Sequence, residues 1–305
     1  MRVDAVVVSY CSRDTLRSCV EPLAGMGGVS VTVVDNASPD RSLEVVADLP
    51  VRRIDAGRNA GFSAGCNLGA AAGSAPYILL LNADVRIRET DVAALTALLD
   101  GDPSVGLVGP RLLDEDGAVI PSQRRFPSVA SSWAQALCLH RLAPRAMWTD
   151  EIVRTDYGRP AAPDWISGAC MLVRRDAFDR IGGMDEGFFL YSEDTDICKR
   201  LRGAGFDVRY EPQATVRHIG GASAPRSDLL ATLAWSRVRY ARLHGGRRQA
   251  ALTALSLGVG AAVRAVGLVW RPRIARGHAA VVWALVTQAD PIPRSLRAAG
   301  SVTAA

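Results

Sequence analysis

Three carboxylates stand directly after an apolar run in the stretch GFFLYSEDTDICKRL, residues 187–201. Glu193, Asp194 and Asp196 can form the first turn of a helix, where acidic side chains interact favourably with the positive end of the helix dipole. Ser192 would then be the N-cap, its side chain accepting a backbone N–H. A carboxylate at the edge of an apolar pocket can also serve as a general base. The two interpretations are compatible, because a helix start also fixes the geometry of a carboxylate.

A second group of polar residues could bind a metal ion or a nucleotide. Asn82 and Asp84 follow the apolar segment ILLL, and oxygen ligands there can hold a hard divalent ion, although the same residues are frequent in plain turns. His218 precedes two glycines, and a lone histidine is more often a surface or core residue than a ligand. Asp35 ends another apolar run, so its carboxylate either accepts a hydrogen bond from a nucleobase or ribose or forms an Asx turn.

The elements that must position these residues alternate in the first hundred residues. Strands are predicted at VDAVVVSY, VSVTVVDN, VRRIDA and YILLLNADV. Helices are predicted from about Arg13, after Ser38 as N-cap, over AGFSAGCNLGAAAG and over DVAALTALLD. This order predicts a parallel sheet with right-handed crossovers, whose ligand lies beyond the carboxyl ends of the strands. The polar clusters occur at those ends, namely Ser9, Tyr10, Asp35, Asn36, Asn82 and Asp84.

The second half of the chain has a more mixed pattern. WISGACMLVRR predicts a strand that leads into a short helix over DAFDRI. FDVRY and ATVRH predict two short strands, and HIGGAS predicts a flexible turn. The helix after Ser192 should bury Ile197 and Leu201, which lie four residues apart, and should end near Gly203 or Gly205.

Charge divides the chain near residue 225. Residues 226–305 carry twelve arginines and two aspartates, a net charge of +10, whereas the whole chain carries +5 and the remainder therefore −5. We predict a main domain at 1–225, with halves of about 1–110 and 111–225, followed by a basic helical region at 226–305.

The basic C-terminal region is also very apolar, as in AALTALSLGVGAAVRAVGLVW. This composition favours a membrane surface over nucleic acid as its partner, with a helical cap packed on the main domain as the alternative. Arg264 lies within the apolar segment and disfavours a spanning helix, so we expect helices that lie on the membrane. The six cysteines form no CxxC pair, as is typical of reduced thiols in the cytoplasm. The expected location is the inner face of the cell membrane.

Seven segments together resemble a known family. They are VVVSYCSRDTLRSCV, VVDNASPD, GRNAGFSAGCNLG, LLLNADV, WISGACMLVRRDAF, GGMDEGFFLYSEDTDICKRL and VRHIGGAS. In this order and at these spacings they resemble an inverting family 2 glycosyltransferase of the rhamnosyltransferase-like branch, over roughly residues 3–245. The resemblance implies the GT-A fold, a Rossmann-like α/β architecture with a mostly parallel sheet flanked by helices, here with a C-terminal helical appendage. It also implies a nucleotide-diphospho-sugar donor, a divalent Mg²⁺ or Mn²⁺ ion, and no covalent intermediate.

The resemblance assigns roles to individual positions. Asp194 corresponds to the family's general base, and Glu193 would orient the acceptor or the sugar. Asp84 and His218 correspond to the metal ligands, and Asn82 stands where the family usually has its first acid, so Asp84 would provide most of the metal contact. The nucleotide-sugar would be bound by Ser9, Tyr10, Asp35, Arg58, Asn59, Asn67, Asn82, Ala83 and Asp84. The acceptor and sugar pocket would be formed by Trp165, Ser167, Gly168 and Tyr191.

The implied activity is transfer of a sugar to a hydroxyl of a glycan or of a polyprenyl-diphosphate-linked acceptor, in cell-envelope polysaccharide synthesis. The branch implies L-rhamnose from dTDP-L-rhamnose, but Asp35 could pair with thymine or uracil, which leaves a UDP-sugar-dependent transferase as an alternative. A catalytically inactive sugar-nucleotide-binding protein is another alternative, supported by Asn82 in place of the acid. A Rossmann oxidoreductase is disfavoured, because SYCSRD and not GxGxxG follows the first strand.

Overall fold

The computed structural model describes residues 2–143, 146–154, 156–220, 226–287, 291–293 and 296. The strands are β1 Val3–Ser9, β2 Val29–Asp35, β3 Arg52–Asp55, β4 Tyr77–Asn82, β5 Val85–Arg86, β6 Val105–Leu113, β7 Gln123–Arg124, β8 Trp165–Ile166, β9 Cys170–Arg174 and β10 Asp207–His218. The helices are α1 Arg13–Ala24, α2 Phe62–Ala71, α3 Glu89–Gly101, α4 Val129–Ala136, α5 Leu139–Leu142, α6 Arg175–Arg180, α7 Glu193–Gly203, α8 Leu230–Gly267 and α9 Pro272–Thr287. Two 3₁₀ helices cover Ser42–Val46 and Arg226–Leu229.

Eight of the strands form one sheet in the order β3-β2-β1-β4-β9-β6-β10-β5. The predicted first half is parallel: β1 pairs with β2 and β4, and β2 pairs with β3. Strand β9 is antiparallel to both β4 and β6, which places a reversed strand in the middle of the sheet. The mixed α/β architecture with a flanked, largely parallel sheet is confirmed.

The core lies on both faces of this sheet, because successive side chains of a strand point to opposite faces. On one face, Val7 of β1 packs in a cluster with Leu16 of α1 and Leu95 of α3. On the other face, Val6 belongs to a cluster with Cys66 of α2 and residues of α6 and α7. A sheet covered on both faces explains why its strands are continuous apolar runs rather than alternating ones.

Two local predictions differ from the structure. The helix predicted to begin at Ser38 is absent, since the Ser38 N–H and hydroxyl both donate to the carboxylate of Asp35, at 2.7 and 2.6 Å. A 3₁₀ helix follows from Ser42 instead. The two short strands FDVRY and ATVRH form one strand, β10, with an irregularity between Glu211 and Thr215. Part of the predicted turn HIGGAS, from residue 221 onwards, lies outside the described residues.

Helix α7 begins at Glu193 as predicted and buries Ile197 and Leu201 completely. Ser192 is its N-cap residue, but the prediction that its side chain caps the helix is wrong. Its backbone is left-handed, with φ 65°, and the side chain makes no capping hydrogen bond. The Ser192 carbonyl accepts the Asp196 N–H at 2.8 Å, so only the backbone performs the capping function.

In the described part of the C-terminal region, α8 packs against both α9 and α4. Gly246 interrupts α8 with φ 77°. Arg264 donates to the backbone oxygens of Gln135, at 2.6 Å, and Gly260, at 2.8 Å. Among the described residues one helical segment, Ser227–Gly267, has the length and composition to cross a membrane, with a mean hydropathy of 1.5 over its apolar window. The division of the chain at residue 225 stays a prediction.

Candidate active site

A cavity of about 320 Å³ lies at the carboxyl ends of β1, β2 and β4, where the sequence pattern predicts a ligand. Seven of the predicted site residues line it, namely Tyr10, Asn59, Asn82, Ala83, Asp84, Tyr191 and His218. A larger cavity of about 690 Å³ lies beside α1 and β5, and none of the predicted site residues lines it. The predicted site residues therefore identify the smaller of these two cavities as the candidate ligand site, and we call it the donor cavity.

Asp84 and His218 meet in the donor cavity although they are far apart in the sequence. His218 Nε2 lies 3.3 Å from Asp84 Oδ1 and 3.3 Å from the side-chain nitrogen of Asn82. The pairing of β5 with the end of β10 brings these residues together. Burial opposes ionisation of Asp84, but hydrogen bonds from His218 and from the Gly220 N–H outweigh it and lower the pKa of the carboxyl.

These residues fit a divalent cation site. Mg²⁺ or Mn²⁺ typically takes one or two carboxylates from the protein and completes its coordination with water and phosphate oxygens. Asp84 supplies a carboxylate, and the Gly220 N–H holds its second oxygen at 2.9 Å. His218 supplies a nitrogen beside it. Within the described part of the chain, no three His, Cys, Asp or Glu side chains cluster as a closed metal cage. These protein ligand atoms therefore suit an open metal site, in which a diphosphate would complete the coordination of the ion.

Four predicted nucleotide-binding residues do not line the donor cavity. Ser9 is fully buried, and the Asp35 carboxylate accepts hydrogen bonds from the N–H and the hydroxyl of Ser38, three residues further on. Arg58 is exposed. The side-chain amide of Asn67 bonds to the backbone of Met184 and to Glu186. Nucleotide contacts by these four residues stay predictions.

Asp194 is held by backbone and side-chain donors on two sides. The Gly168 N–H donates to Oδ2 at 3.0 Å, and the Thr195 N–H and hydroxyl donate to Oδ1 at 2.8 and 3.3 Å. Burial raises the pKa of Asp194, and these hydrogen bonds only partly offset it. A Cβ at Gly168 would stand 3.1 Å from the Asp194 Cβ, so this position favours glycine. The result is a fixed carboxylate of raised basicity, as a general base requires.

Glu193 has a different environment from its neighbour. Its side chain is buried, and Oε2 has no hydrogen-bond partner among the described residues. Burial, and then the negative charge of Asp194, raise the pKa of Glu193 well above its ordinary value. Glu193 consequently keeps its proton to higher pH, which leaves Asp194 as the carboxylate that ionises first.

The predicted acceptor residues lie on the connection from β8 to β9. The Trp165 indole donates to the Arg125 carbonyl at 2.8 Å, and the Ser167 N–H donates to the Ser122 carbonyl at 3.1 Å. Gly168 contacts Asp194 directly. Gly168 therefore connects this segment to the base, whereas Tyr191 lines the donor cavity.

Sequence reasoning missed Arg124. Its guanidinium lies 5.8 Å from the centre of the Trp165 ring, and its positive charge favours the ionised form of Asp194 and lowers the pKa of that carboxyl. Strand β7, which carries Arg124, has only two residues, and a single basic residue in such a segment provides no recognisable pattern. The pairing of Arg124 with Trp165 across β7 and β8 became visible only in the structure.

Comparisons with known proteins identify the family of the chain. The sequence family described as Glycosyl transferase family 2 matches residues 4–182, and the family described as N-terminal domain of galactosyltransferase matches residues 153–220. An N-acetylglucosaminyl-diphospho-decaprenol L-rhamnosyltransferase of Mycobacterium tuberculosis is 35% identical over 212 residues, which are 65% of this chain and 69% of the relative. The rhamnosyltransferase WbbL of Escherichia coli is 29% identical over 140 residues, 45% of this chain and 49% of WbbL.

Solved structures are similar in fold. GalNAc-T7 in complex with UDP, GalNAc and Mn²⁺ has a TM-score of 0.57 at 16% identity, covering 78% of this chain and 47% of its own. The mannosyltransferase PcManGT of Pyrobaculum calidifontis, in complex with GDP-Man and Mn²⁺, has a TM-score of 0.55 at 15% identity, covering 95% of this chain and 88% of its own. Both are GT-A glycosyltransferases, so the expected GT-A fold is confirmed.

Proposed function

The chain belongs to glycosyl transferase family 2, and from that premise we propose that it is an inverting, metal-dependent transferase that moves L-rhamnose from dTDP-L-rhamnose to a hydroxyl of a lipid-linked glycan. One observation carries the reaction type. The Gly168 N–H holds the carboxylate of Asp194, and Tyr191, three residues before it, lines the cavity that presents Asp84 and His218. The first feature suits deprotonation of an acceptor, and the second suits binding of a nucleotide diphosphate.

Inversion follows from a single displacement at the anomeric carbon. The acceptor hydroxyl attacks this carbon from the face opposite the diphosphate while Asp194 takes the hydroxyl proton, and the bond from the anomeric carbon to the diphosphate oxygen breaks. The raised pKa of Asp194 strengthens it as a base. The hydrogen bonds from Gly168 and Thr195 hold its carboxylate in a fixed orientation. Burial raises the pKa of Glu193 well above its ordinary value, so in its protonated form Glu193 can donate a hydrogen bond to the sugar or acceptor without competing for the proton.

Asp84 and His218 would hold the divalent ion, and Asn82 would support His218. A bound Mg²⁺ or Mn²⁺ supplies neutralisation of the charge that develops on the leaving diphosphate. The Gly220 N–H orients the carboxylate of Asp84, which keeps one of its oxygens directed at His218. Residues 189–191 form the apolar side of the donor cavity and exclude water from the reacting carbon.

The choice of donor and acceptor rests on the relatives. The 35% identical protein from Mycobacterium tuberculosis is named for L-rhamnose transfer to a diphospho-decaprenol-linked N-acetylglucosamine. We extend that substrate class, a 6-deoxyhexose donor and a polyprenyl-diphosphate-linked glycan acceptor, to this chain. Such an acceptor is anchored in a membrane, which agrees with the exposed apolar side chains of the basic C-terminal helices. The enzyme would work on the cytoplasmic face of the cell membrane.

A donor screen tests the proposal. Purified protein is mixed with dTDP-L-rhamnose, dTDP-glucose or a UDP-sugar, with a polyprenyl-diphosphate-linked N-acetylglucosamine, and with Mn²⁺ or EDTA. We expect a rhamnosylated lipid only with dTDP-L-rhamnose and Mn²⁺. A product with a UDP-sugar alone would favour the UDP-dependent alternative. Donor binding without any product from any donor would favour an inactive sugar-nucleotide-binding protein.

A further inference from the structure

The first half of α8 contacts the segment that carries the catalytic carboxylates. This segment, residues 185–196, we call the base loop. Ser236 donates its hydroxyl to the Leu190 carbonyl at 2.8 Å. Arg239 Nη2 donates to both carboxylate oxygens of Asp185, at 2.9 and 2.8 Å. Arg239 lies three residues after Ser236, and His244 lies eight residues after Ser236, about two turns further along the helix, so one side of α8 reaches the base loop at several points.

His244 contacts the helix that carries the base. Its Nε2 lies 2.8 Å from Oδ1 of Asp196, which is two residues after Asp194 and only 1% exposed. The other oxygen of Asp196 accepts from Arg200 at 2.7 Å. Arg200 in turn donates to the backbone carbonyls of residues 181 and 183, just before the base loop. Helix α8 is thus connected to both ends of the loop.

The base loop has a backbone that needs such support. Tyr191 and Ser192 are consecutive non-glycine residues in the left-handed region, with φ 70° and 65°. Conformations of this kind persist only where surrounding contacts over-determine them. On the side of the donor cavity, the Phe62 N–H donates to the Phe189 carbonyl at 3.0 Å. On the opposite side, the guanidinium of Arg239 lies 5.1 Å from the centre of the buried Phe188 ring.

We propose that the first half of α8, residues 230–245, positions the general base, and that Ser236, Arg239 and His244 are positioning residues for Asp194. None of the three lines the donor cavity, so they act through the base loop and not through the donor. The inference rests on the proposed function insofar as it assigns the base role to Asp194. It extends the catalytic unit beyond residue 225 into the C-terminal helices.

The test compares Ser236→Ala and the double variant Arg239→Ala/His244→Ala with Arg242→Ala. Arg242 lies on the same helix and is exposed, which makes Arg242→Ala a matched control for loss of an arginine. Hydrogen exchange of the amides in residues 185–196 is measured first, since it needs no activity. We then measure the Kd for the nucleotide-sugar and kcat for transfer.

We expect the base-loop amides of the double variant to exchange at least about tenfold faster than those of the wild type. Its kcat should be about ten- to a hundredfold lower, with the donor Kd within twofold. The reason is that a small misplacement of a catalytic group lowers the reaction rate and leaves substrate binding largely unchanged. Ser236→Ala should show a smaller effect of the same kind. His244→Gln, which keeps an N–H donor, should recover part of kcat relative to His244→Ala. The Arg242→Ala control should match the wild type.

Unchanged exchange in the base loop of a folded double variant would overturn the proposal. Equal losses in kcat and in donor binding would also overturn it, since they would indicate a general structural role. If the double variant does not fold, the same measurements on Ser236→Ala, which loses one hydroxyl, decide the question. Failure of the wild type to transfer sugar would count against the proposed function alone, because the exchange result would still decide whether α8 holds the base loop.

Discussion

Asp194 and Glu193 are adjacent in the chain, yet their surroundings give them different chemistry. Asp194 accepts hydrogen bonds from Gly168 and Thr195, whereas Glu193 Oε2 is buried without a partner among the described residues. Replacing Asp194 by Asn keeps the size and removes the proton acceptor. We therefore expect Asp194→Asn to lower kcat by a factor of ~10² or more with the donor Kd nearly unchanged.

Steady-state kinetics and donor titration of Asp194→Asn check this, with Asp116→Asn as the control for loss of an exposed carboxylate. Turnover near that of the wild type by folded Asp194→Asn protein would remove Asp194 from the mechanism.

The pH dependence of the reaction is a second consequence at the scale of single residues. A general base is active above its pKa, so activity falls as the pH drops through that value. Burial raises the pKa of Asp194, and the acid limb of kcat/KM should therefore lie above the ordinary carboxylate value of about 3.9. The charge of Arg124 opposes this shift, so Arg124→Gln should move the limb to still higher pH. Arg242→Gln changes an exposed arginine that has no predicted role in the site, and an identical shift in both variants would rule out a specific role for Arg124.

At the scale of elements, the proposed metal site depends on a strand pairing. Asp84 precedes β5, and His218 ends β10, so the antiparallel pairing of these strands builds the site. Loss of the ion would affect binding and departure of the diphosphate together. We expect excess EDTA to abolish transfer, Asp84→Ala to weaken both donor binding and turnover, and His218→Ala to do the same less severely. Isothermal titration of the nucleotide-sugar with and without Mn²⁺ separates these effects, and full activity in EDTA would contradict the assignment.

Gly61, the N-cap residue of α2, lies against the base loop. A Cβ at Gly61 would collide with the backbone of Phe189, and its φ is 91°. Gly57 also has a positive φ, of 68°, but has open space around it. Both Gly→Ala variants should lose about 1–2 kcal/mol to the backbone conformation, and Gly61→Ala should lose several kcal/mol more because the loop must move. Urea unfolding of the two variants measures the difference in their free energies of unfolding. Equal losses of stability would mean that the base loop can move without a cost in free energy.

The elements themselves were largely predictable, but their long-range contacts were not. The apolar runs and breaker residues predicted β1 to β4, α2, α3 and α7, because these signals are local. The central position of the antiparallel strand β9 depends on pairing with residues 64 to 97 positions away. The same holds for the contact of His244 with Asp196, whose sequence separation is 48 residues. At Ser38, hydrogen bonds to the Asp35 carboxylate replaced a predicted helix start, since Ser and Asp are frequent both in turns and at helix starts.

At the scale of the whole molecule, the C-terminal helices carry two different surfaces. One face of α8 holds the base loop through Ser236 and Arg239. Beyond the interruption at Gly246, large apolar side chains are exposed instead, among them Leu255, Val263, Val266, Val269, Trp270, Trp283 and Val286. Trp270 is exposed next to Arg271 and Arg273, and an exposed tryptophan beside arginines is typical of a protein surface that lies in the headgroup region of a membrane.

We therefore predict that the C-terminal helices hold the enzyme on the cytoplasmic membrane face without crossing it. Arg264, the obstacle to a spanning helix, is bonded to the carbonyl of Gln135 in the main body of the protein, and withdrawing it into lipid would break that contact. Each arginine near an anionic leaflet adds about 1 kcal/mol of binding, and salt screens this attraction.

Fractionation of expressing cells should place the full chain with membranes, and high salt or alkaline carbonate should release much of it. A chain ending near Gly246 keeps the contacts of α8 with the base loop and should be soluble. Membrane retention after carbonate, with the C-terminus protected from protease added on the cytoplasmic side, would show that the segment Ser227–Gly267 spans the bilayer after all.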